Sequence, residues 1–239
     1  MIILPAIDLL DGKCVRLYKG EYETAHTVAP DPFDTVRRFI SDGAEYIHLV
    51  DLNGAKDGKP VNHELLCELA RNSNVPLEIG GGIRDMETVK FYIDNGFSRV
   101  IIGSAALKNP EFVKVAVQTY GDKIAVGIDA RNGYLSTSGW TEDSEIYFTD
   151  FAENMENIGV DNIIYTAIER DGTLEGAAVE RLQELKNRVN KTKITASGGV
   201  KDIEDIRKLK ALDVYGVICG KSIYEGTLSL KEAIYETLL

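Results

Sequence analysis

The pentapeptide Gly81-Gly82-Ile83-Arg84-Asp85 returns 117 positions later as Gly198-Gly199-Val200-Lys201-Asp202, and Gly103-Ser104 returns at the same spacing as Gly220-Lys221. Gly43 and Gly159, each just ahead of an apolar run, differ by 116. Three landmarks that agree within a residue mark a fold made of two like halves, about 1–122 and 123–239. Short apolar runs at 2–7, 46–50, 77–79, 99–102, 124–128, 162–165, 193–196 and 216–219 alternate with segments of helical period. Helix boundaries carry the usual signals, such as Asn109-Pro110 at a start and Gly43 at an end. The expected architecture is α/β, a single (β/α)8 TIM barrel over 1–239. The 239 residues are close to the roughly 250 such a barrel needs. A doubly wound open sheet fits the alternation but not the register of the repeat.

Glycine at the mouth of a barrel strand lets the backbone approach a ligand, and free N–H groups at the next helix start attract anions. Any one of these glycine-bearing turns, taken alone, reads first as a tight βα turn. Four of them in two register-matched sets point instead to two phosphate cradles, Gly81-Gly82 with Gly103-Ser104 and Gly198-Gly199 with Gly220-Lys221. Two cradles across one barrel mouth imply a small-molecule ligand with a phosphate at each end. Arg84 would add a bidentate contact to a phosphate or a carboxamide. Neither a P-loop nor a dinucleotide fingerprint is present.

Asp8 and Asp129 each close an apolar run, at the ends of the first and fifth strands. In an eight-stranded barrel these strands face one another, so a ligand stretched between the cradles passes between the two carboxyl groups. Alone, either residue would read equally as a cap or turn former. As a pair they suit one general acid and one general base. Thr166 ends the sixth strand within reach of Asp129, and Asp171 either contacts the ligand or shapes its loop. Trp140 either stacks on a planar heterocycle or packs. His48 is expected to be a hydrogen-bonded structural histidine. The polar stretches 11–30, which carries Lys19 and Gly20, and 131–144 are expected to be loops, the first a mobile one over the site.

A net charge of −11 argues against a nucleic-acid surface. No run of 18 apolar residues spans a membrane, and the first residues lack a signal-peptide pattern, so a cytoplasmic protein is expected. Cys14, Cys67 and Cys219 are odd in number and widely spaced, as core residues would be. No metal site is expected.

Taken together, Ala6-Ile7-Asp8-Leu9, Gly12-Lys13, Arg16-Leu17, Lys19-Gly20, Val50-Asp51-Leu52, Gly80-Gly81-Gly82-Ile83-Arg84, Asp129-Ala130-Arg131, Gly139-Trp140, Thr166 through Asp171-Gly172-Thr173 and Ser197-Gly198-Gly199-Val200 resemble the phosphoribosylformimino-5-aminoimidazole carboxamide ribotide isomerase family of histidine biosynthesis. The resemblance covers essentially the whole chain. It implies an Amadori rearrangement of an aminoaldose to an aminoketose, with no metal or redox cofactor. Asp129 would be the acid that opens the sugar ring to a protonated imine and Asp8 the base that removes the C2 proton. Thr166 would support Asp129, and segments around Lys19-Gly20 and Trp140 would close over the substrate. A monomer is the expected state. Three rivals stand beside this reading: the imidazole glycerol phosphate synthase cyclase, which carries a Cys-Leu-Asp-Val type segment where this chain has Ala6-Ile7-Asp8-Leu9; a dual-substrate isomerase that also takes phosphoribosylanthranilate; and a silent phosphosugar-binding barrel.

Overall fold

A computed structural model describes residues 1–137 and 139–239; Ser138, within the stretch 131–144, lies outside the described residues. The strands, in chain order, are β1 (Ile2–Leu10), β2 (Lys13–Tyr18), β3 (Glu21–Ala29), β4 (Ile47–Asp51), β5 (Leu77–Gly80), β6 (Arg99–Ile102), β7 (Ile124–Arg131), β8 (Tyr134–Thr137), β9 (Glu142–Tyr147), β10 (Asn162–Ala167), β11 (Lys193–Ser197) and β12 (Gly216–Cys219). Strands β1, β4, β5, β6, β7, β10, β11 and β12 pair in parallel in that order, and β12 returns to β1, which closes a (β/α)8 barrel. All eight expected runs form these strands.

Two cores hold the barrel. One lies between sheet and helices and includes Ile7, Phe39, Leu49, Tyr92, Val126, Phe148 and Leu185. The other fills the barrel axis with Leu4, Ala6, Ile101, Ala125, Ile164 and Ile218. The three cysteines are buried. Helices start where the sequence places a cap. Asp31 accepts from the N–H groups of Phe33 and Asp34 ahead of Pro32–Ser41, and Asn109 caps Pro110–Tyr120. Asp85 and Asp202, the last residues of the repeated pentapeptides, cap Met86–Asp94 and Ile203–Ala211. No helix is long and apolar enough to cross a membrane among the described residues.

The two long polar stretches depart from expectation. Residues 11–30 are an antiparallel hairpin, β2 with β3, laid on β1; β8 and β9 form its counterpart on β7. The cause is turn chemistry. Asp11-Gly12, Lys19-Gly20 and Asn132-Gly133 each occupy a two-residue connection with both residues at positive φ (51° and 74°, 51° and 75°, 52° and 88°), the turn whose twist matches paired strands. A second difference is the short helix Leu52–Asp57 in a segment that reads as a turn. The Asp51 carboxylate caps it and Gly58, at φ 74°, ends it.

Candidate active site

The open C-terminal end of the barrel encloses a cavity lined by Asp8, Asp129, Thr166 and Asp171, by Gly81-Gly82 with Gly103-Ser104, and by Gly198-Gly199 with Gly220-Lys221. Gly20, Arg84 and Trp140 also line it. Lys19 does not. It sits in the β2–β3 turn, where its backbone N–H donates to the Asp171 carbonyl (3.1 Å) and its ammonium lies over the Tyr18 ring.

The glycine sets are built alike. Gly81 and Gly198 take φ of 102° and 91°, and an added Cβ would overlap the carbonyl oxygens of Asp51 and Ala167. Gly82 and Gly199 press in the same way on the carbonyls of Gly54 and Gly176. Only glycine accepts both the left-handed backbone and the close approach. Gly103 and Gly220 precede one-turn helices, Ser104–Lys108 and Lys221–Glu225, and neither first turn receives a side-chain cap. The first N–H groups of a helix have no acceptor within the helix, and those at a barrel mouth can face an anion. Asp51, fully buried, accepts from Gly54, Val61 and Asn62 N–H groups and from the Asn62 amide, which fixes the loop behind Gly82.

The carboxyl groups differ in surroundings. Asp8 accepts from the Arg16 guanidinium at 2.6 Å; Arg16 is buried, also donates to the Ala6 carbonyl (2.5 Å), and lies over the Tyr224 ring. Asp129 stands across the cavity, register partner of Thr166. Burial pushes its carboxyl up from the ordinary range, only partly offset by hydrogen bonds from Trp140 and Thr166 and by the nearby His48. Thr166 and Trp140 both stand beside Asp129. Asp171 is pushed up to about 7, first by burial and then by the Asp8 charge, against the pull of Arg16 and Lys221.

That shift has a stability consequence. The folded chain holds the Asp171 proton to about pH 7, whereas the unfolded chain releases it in the ordinary carboxylate range, so stability falls as pH rises between the two. Asp171→Asn is expected to raise the melting temperature at pH 8 by about 4–8 °C, a gain on the order of 2 kcal/mol for a carboxyl that cavity water partly reaches. At pH 4 the same variant should melt within a degree or so of the parent, roughly, because the parent is then protonated as well. Thermal melts at the two pH values check this.

Several contributors are not evident from motif spacing. Besides pairing with Asp8, Arg16 fills the space beside Gly220. Tyr22 donates to the Leu52 carbonyl (2.8 Å) and docks the first hairpin on the β4 loop. Gly172 packs on the Leu17 carbonyl, and Lys221 Nζ donates to the Gly172 carbonyl (2.7 Å). The tips of the two hairpins meet over the cavity, where the Trp140 ring covers Gly20 so closely that a Cβ there would overlap it. His48, on β4, lines the cavity and contacts Glu78 on β5 through Nδ1 (2.6 Å); Arg99 on β6 holds the other Glu78 oxygen. These charged residues share one level because β4, β5 and β6 are registered His48 to Glu78 to Arg99. Burial alone would raise the Glu78 carboxyl, but His48 and Arg99 more than offset it and hold it below the ordinary range. No group of three or more His, Cys, Asp or Glu side chains that could hold a metal ion is assembled among the described residues.

A family model described as Histidine biosynthesis protein matches residues 2–229. The chain is 54% identical over 234 residues to 1-(5-phosphoribosyl)-5-((5-phosphoribosylamino)methylideneamino)imidazole-4-carboxamide isomerase of Clostridium novyi (strain NT), covering 98% of each chain. It is 55% identical to the proteins of the same description from Clostridium beijerinckii and Clostridium kluyveri, again over 98% of its length and 97% and 98% of theirs.

Proposed function

The chain belongs to the phosphoribosylformimino-5-aminoimidazole carboxamide ribotide isomerase family of histidine biosynthesis, and from that premise we propose how its own residues carry out the aldose-to-ketose rearrangement. Its activity is the Amadori rearrangement of the phosphoribosyl aminoaldose to the phosphoribulosyl aminoketose. The substrate carries a phosphate at each end, one held by Gly81-Gly82 and Gly103-Ser104, the other by Gly198-Gly199 and Gly220-Lys221, with Arg84 at the rim. Its reacting carbons then lie between Asp8 and Asp129. Each half of the chain, about 1–122 and 123–239, supplies one carboxyl and one cradle.

Asp129, whose carboxyl burial pushes up from the ordinary range, donates to the ring oxygen as the C1–O bond breaks and leaves a protonated imine. Asp8, held in place by Arg16, takes the C2 proton to give the enolamine. Protonation at C1 and loss of the C2 hydroxyl proton complete the aminoketose. Roofing by the two hairpins excludes water from the imine, which water would hydrolyse. The observation that carries this reading is the pair of opposed carboxyl groups in one cavity, one raised by burial and the other charge-paired.

A specific observation favours a second candidate for the acid. Asp171, pushed up to about 7, also faces the cavity and is protonated in about half of the molecules at neutral pH. Matched Asn variants at 129 and 171 separate the two.

The test is conversion of purified aminoaldose to aminoketose, with phosphoribosylanthranilate assayed in parallel for the dual-substrate alternative. Supplying the ketose with ammonia and finding imidazole glycerol phosphate would favour the cyclase instead. The enzyme acts as a cytoplasmic monomer in this reading; sedimentation at assay concentration tests the monomer. Because Trp140 is the sole tryptophan and rests on Gly20 beside Asp129, saturating substrate should shift its emission. A Gly20→Val variant, whose side chain displaces the indole, should lose that shift and bind substrate about tenfold more weakly, roughly 1.4 kcal/mol. A fluorescence titration reads both.

A further inference from the structure

We propose that His48 is a further catalytic residue of this reaction, the acceptor of the C2 hydroxyl proton when the enolamine becomes the ketone, with Glu78 and Arg99 as the positioning residues that orient its ring. This rests on the isomerase reading above and adds a group to it.

The proton count of the rearrangement asks for such a group. Ring opening takes a proton from Asp129 to the ring oxygen, and deprotonation moves one from C2 to Asp8. In the last step the Asp8 carboxylic acid returns its proton to C1 as the enolamine double bond shifts, so Asp8 ends as it began. The C2 hydroxyl must then release its own proton as the C=O bond forms, and Asp129 must regain the one it gave. A base that takes the proton from the C2 oxygen and passes it to the Asp129 carboxylate closes the cycle with no outside reactant.

His48 is placed for this task. Asp8 on β1 is registered with Val50 on β4, and His48 with Ala6, so His48 sits one inward-facing level below Asp8 on the neighbouring strand. The C2 oxygen is bonded to the same carbon whose proton Asp8 removes, which puts it beside a group on that floor. Ala6, the side chain between them in register, is small and leaves the space open. The rest of the barrel axis at this depth is apolar, with Ile101, Ala125, Ile164 and Ile218.

Charged groups in such a core are costly to bury, and apolar side chains of like volume stabilise a barrel at least as well. The Arg99–Glu78–His48 chain therefore calls for a use. Glu78 is fully buried, with Arg99 Nε at 2.7 Å from one oxygen and His48 Nδ1 at 2.6 Å from the other. Arg99 in turn lies over the Tyr46 ring, 4.9 Å from its centroid. In the neutral ring the Nδ1 proton goes to the Glu78 carboxylate, which leaves the Nε2 lone pair for the cavity. When Nε2 takes a proton, the adjacent Glu78 charge stabilises the imidazolium, the arrangement that a carboxylate gives a catalytic histidine elsewhere. The charged groups facing His48 are Glu78 from β5, Arg99 from β6 beyond it, Asp8 from β1 and Asp129 from β7 across the cavity.

The experiment compares the parent with His48→Gln in the aminoaldose assay across pH. Gln keeps a hydrogen-bonding group near the Nε2 position but cannot relay a proton. The expected result is a kcat fall of about 10²-fold with KM within about threefold, and a pH profile that lacks one ionisation seen in the parent. Glu78→Gln should lower kcat less and move that ionisation. A His48→Gln enzyme with kcat within about threefold of the parent and an unchanged profile overturns the proposal while leaving the isomerase reading intact, since the parent turns over in the same assay. A parent that makes no aminoketose overturns the reading itself. Should either variant fail to fold, the unaltered protein decides: with 15N-labelled histidine, adding the ketose product should shift the His48 Nε2 resonance and leave Nδ1 bonded to Glu78. An unmoved Nε2 overturns the proposal.

Discussion

Asp8→Asn is expected to lower kcat by about 10³- to 10⁴-fold while binding of the aminoaldose changes by no more than about threefold. Asparagine keeps the shape of the side chain and an acceptor for Arg16, and Arg16 retains the Ala6 carbonyl and the Tyr224 ring, so the site stays assembled. What is lost is the charge that draws off the C2 proton. The stability cost should be about 2–3 kcal/mol, because the buried Arg16 loses its countercharge and keeps only hydrogen bonds. Single-turnover rates alongside calorimetric binding separate chemistry from affinity. Turnover close to that of the parent would mean that Asp8 is not the base; tight binding without turnover would remove the silent-barrel alternative for the parent, whose activity supplies the comparison.

Asp129→Asn is expected to cost about 10²- to 10³-fold in kcat, with the loss concentrated in ring opening. Its raised carboxyl keeps the acid form at pH values where an ordinary aspartate is already ionised, so parent activity should decline as pH rises through that group's transition. The Asn variant should lack this alkaline decline. Because Asp8, Asp129 and Asp171 act on one another in one cavity, the transition belongs to the cluster as well as to one member. If Asp171→Asn removes the decline and the rate while Asp129→Asn keeps both, Asp171 is the acid. The two variants run over the same pH range give the assignment.

Much of this architecture is written in the chain. The barrel strands announce themselves as short, largely apolar runs, covered by helices outside and core inside. The paired glycines are legible for a different reason: Gly81-Gly82 and Gly198-Gly199 repeat in register, and the structure gives each pair the positive φ and carbonyl contacts that exclude a side chain. The hairpins were equally legible in principle. Asp11-Gly12 and Asn132-Gly133 are strong two-residue turn signals, but the outer hairpin strands β3 and β9 are polar and largely exposed, so composition masks the hairpins as loops.

What spacing could not supply was side-chain pairing across the barrel. Arg16 follows Asp8 by eight residues, a separation with no meaning until the Asp11-Gly12 turn folds β2 back on β1 and brings the guanidinium to the carboxylate. His48, Glu78 and Arg99 lie on three successive strands, and their contact depends on barrel register, which no local pattern encodes. Lys19 illustrates the reverse case: a basic residue in a loop that reads as substrate-facing is turned onto Tyr18, and only its backbone ties the hairpin to Asp171.

The central claim is that one molecule lies across the barrel mouth with a phosphate in each glycine cradle and its reacting carbons between the first- and second-half carboxyl groups. Difference density for the Asp8→Asn protein soaked with the aminoaldose tests it directly. The account predicts one phosphate at Gly81, Gly82 and Gly103, the other at Gly198, Gly199 and Gly220, and C2 facing residue 8. A ligand anchored by a single phosphate, or with its sugar carbons away from both residue 8 and Asp129, would contradict it.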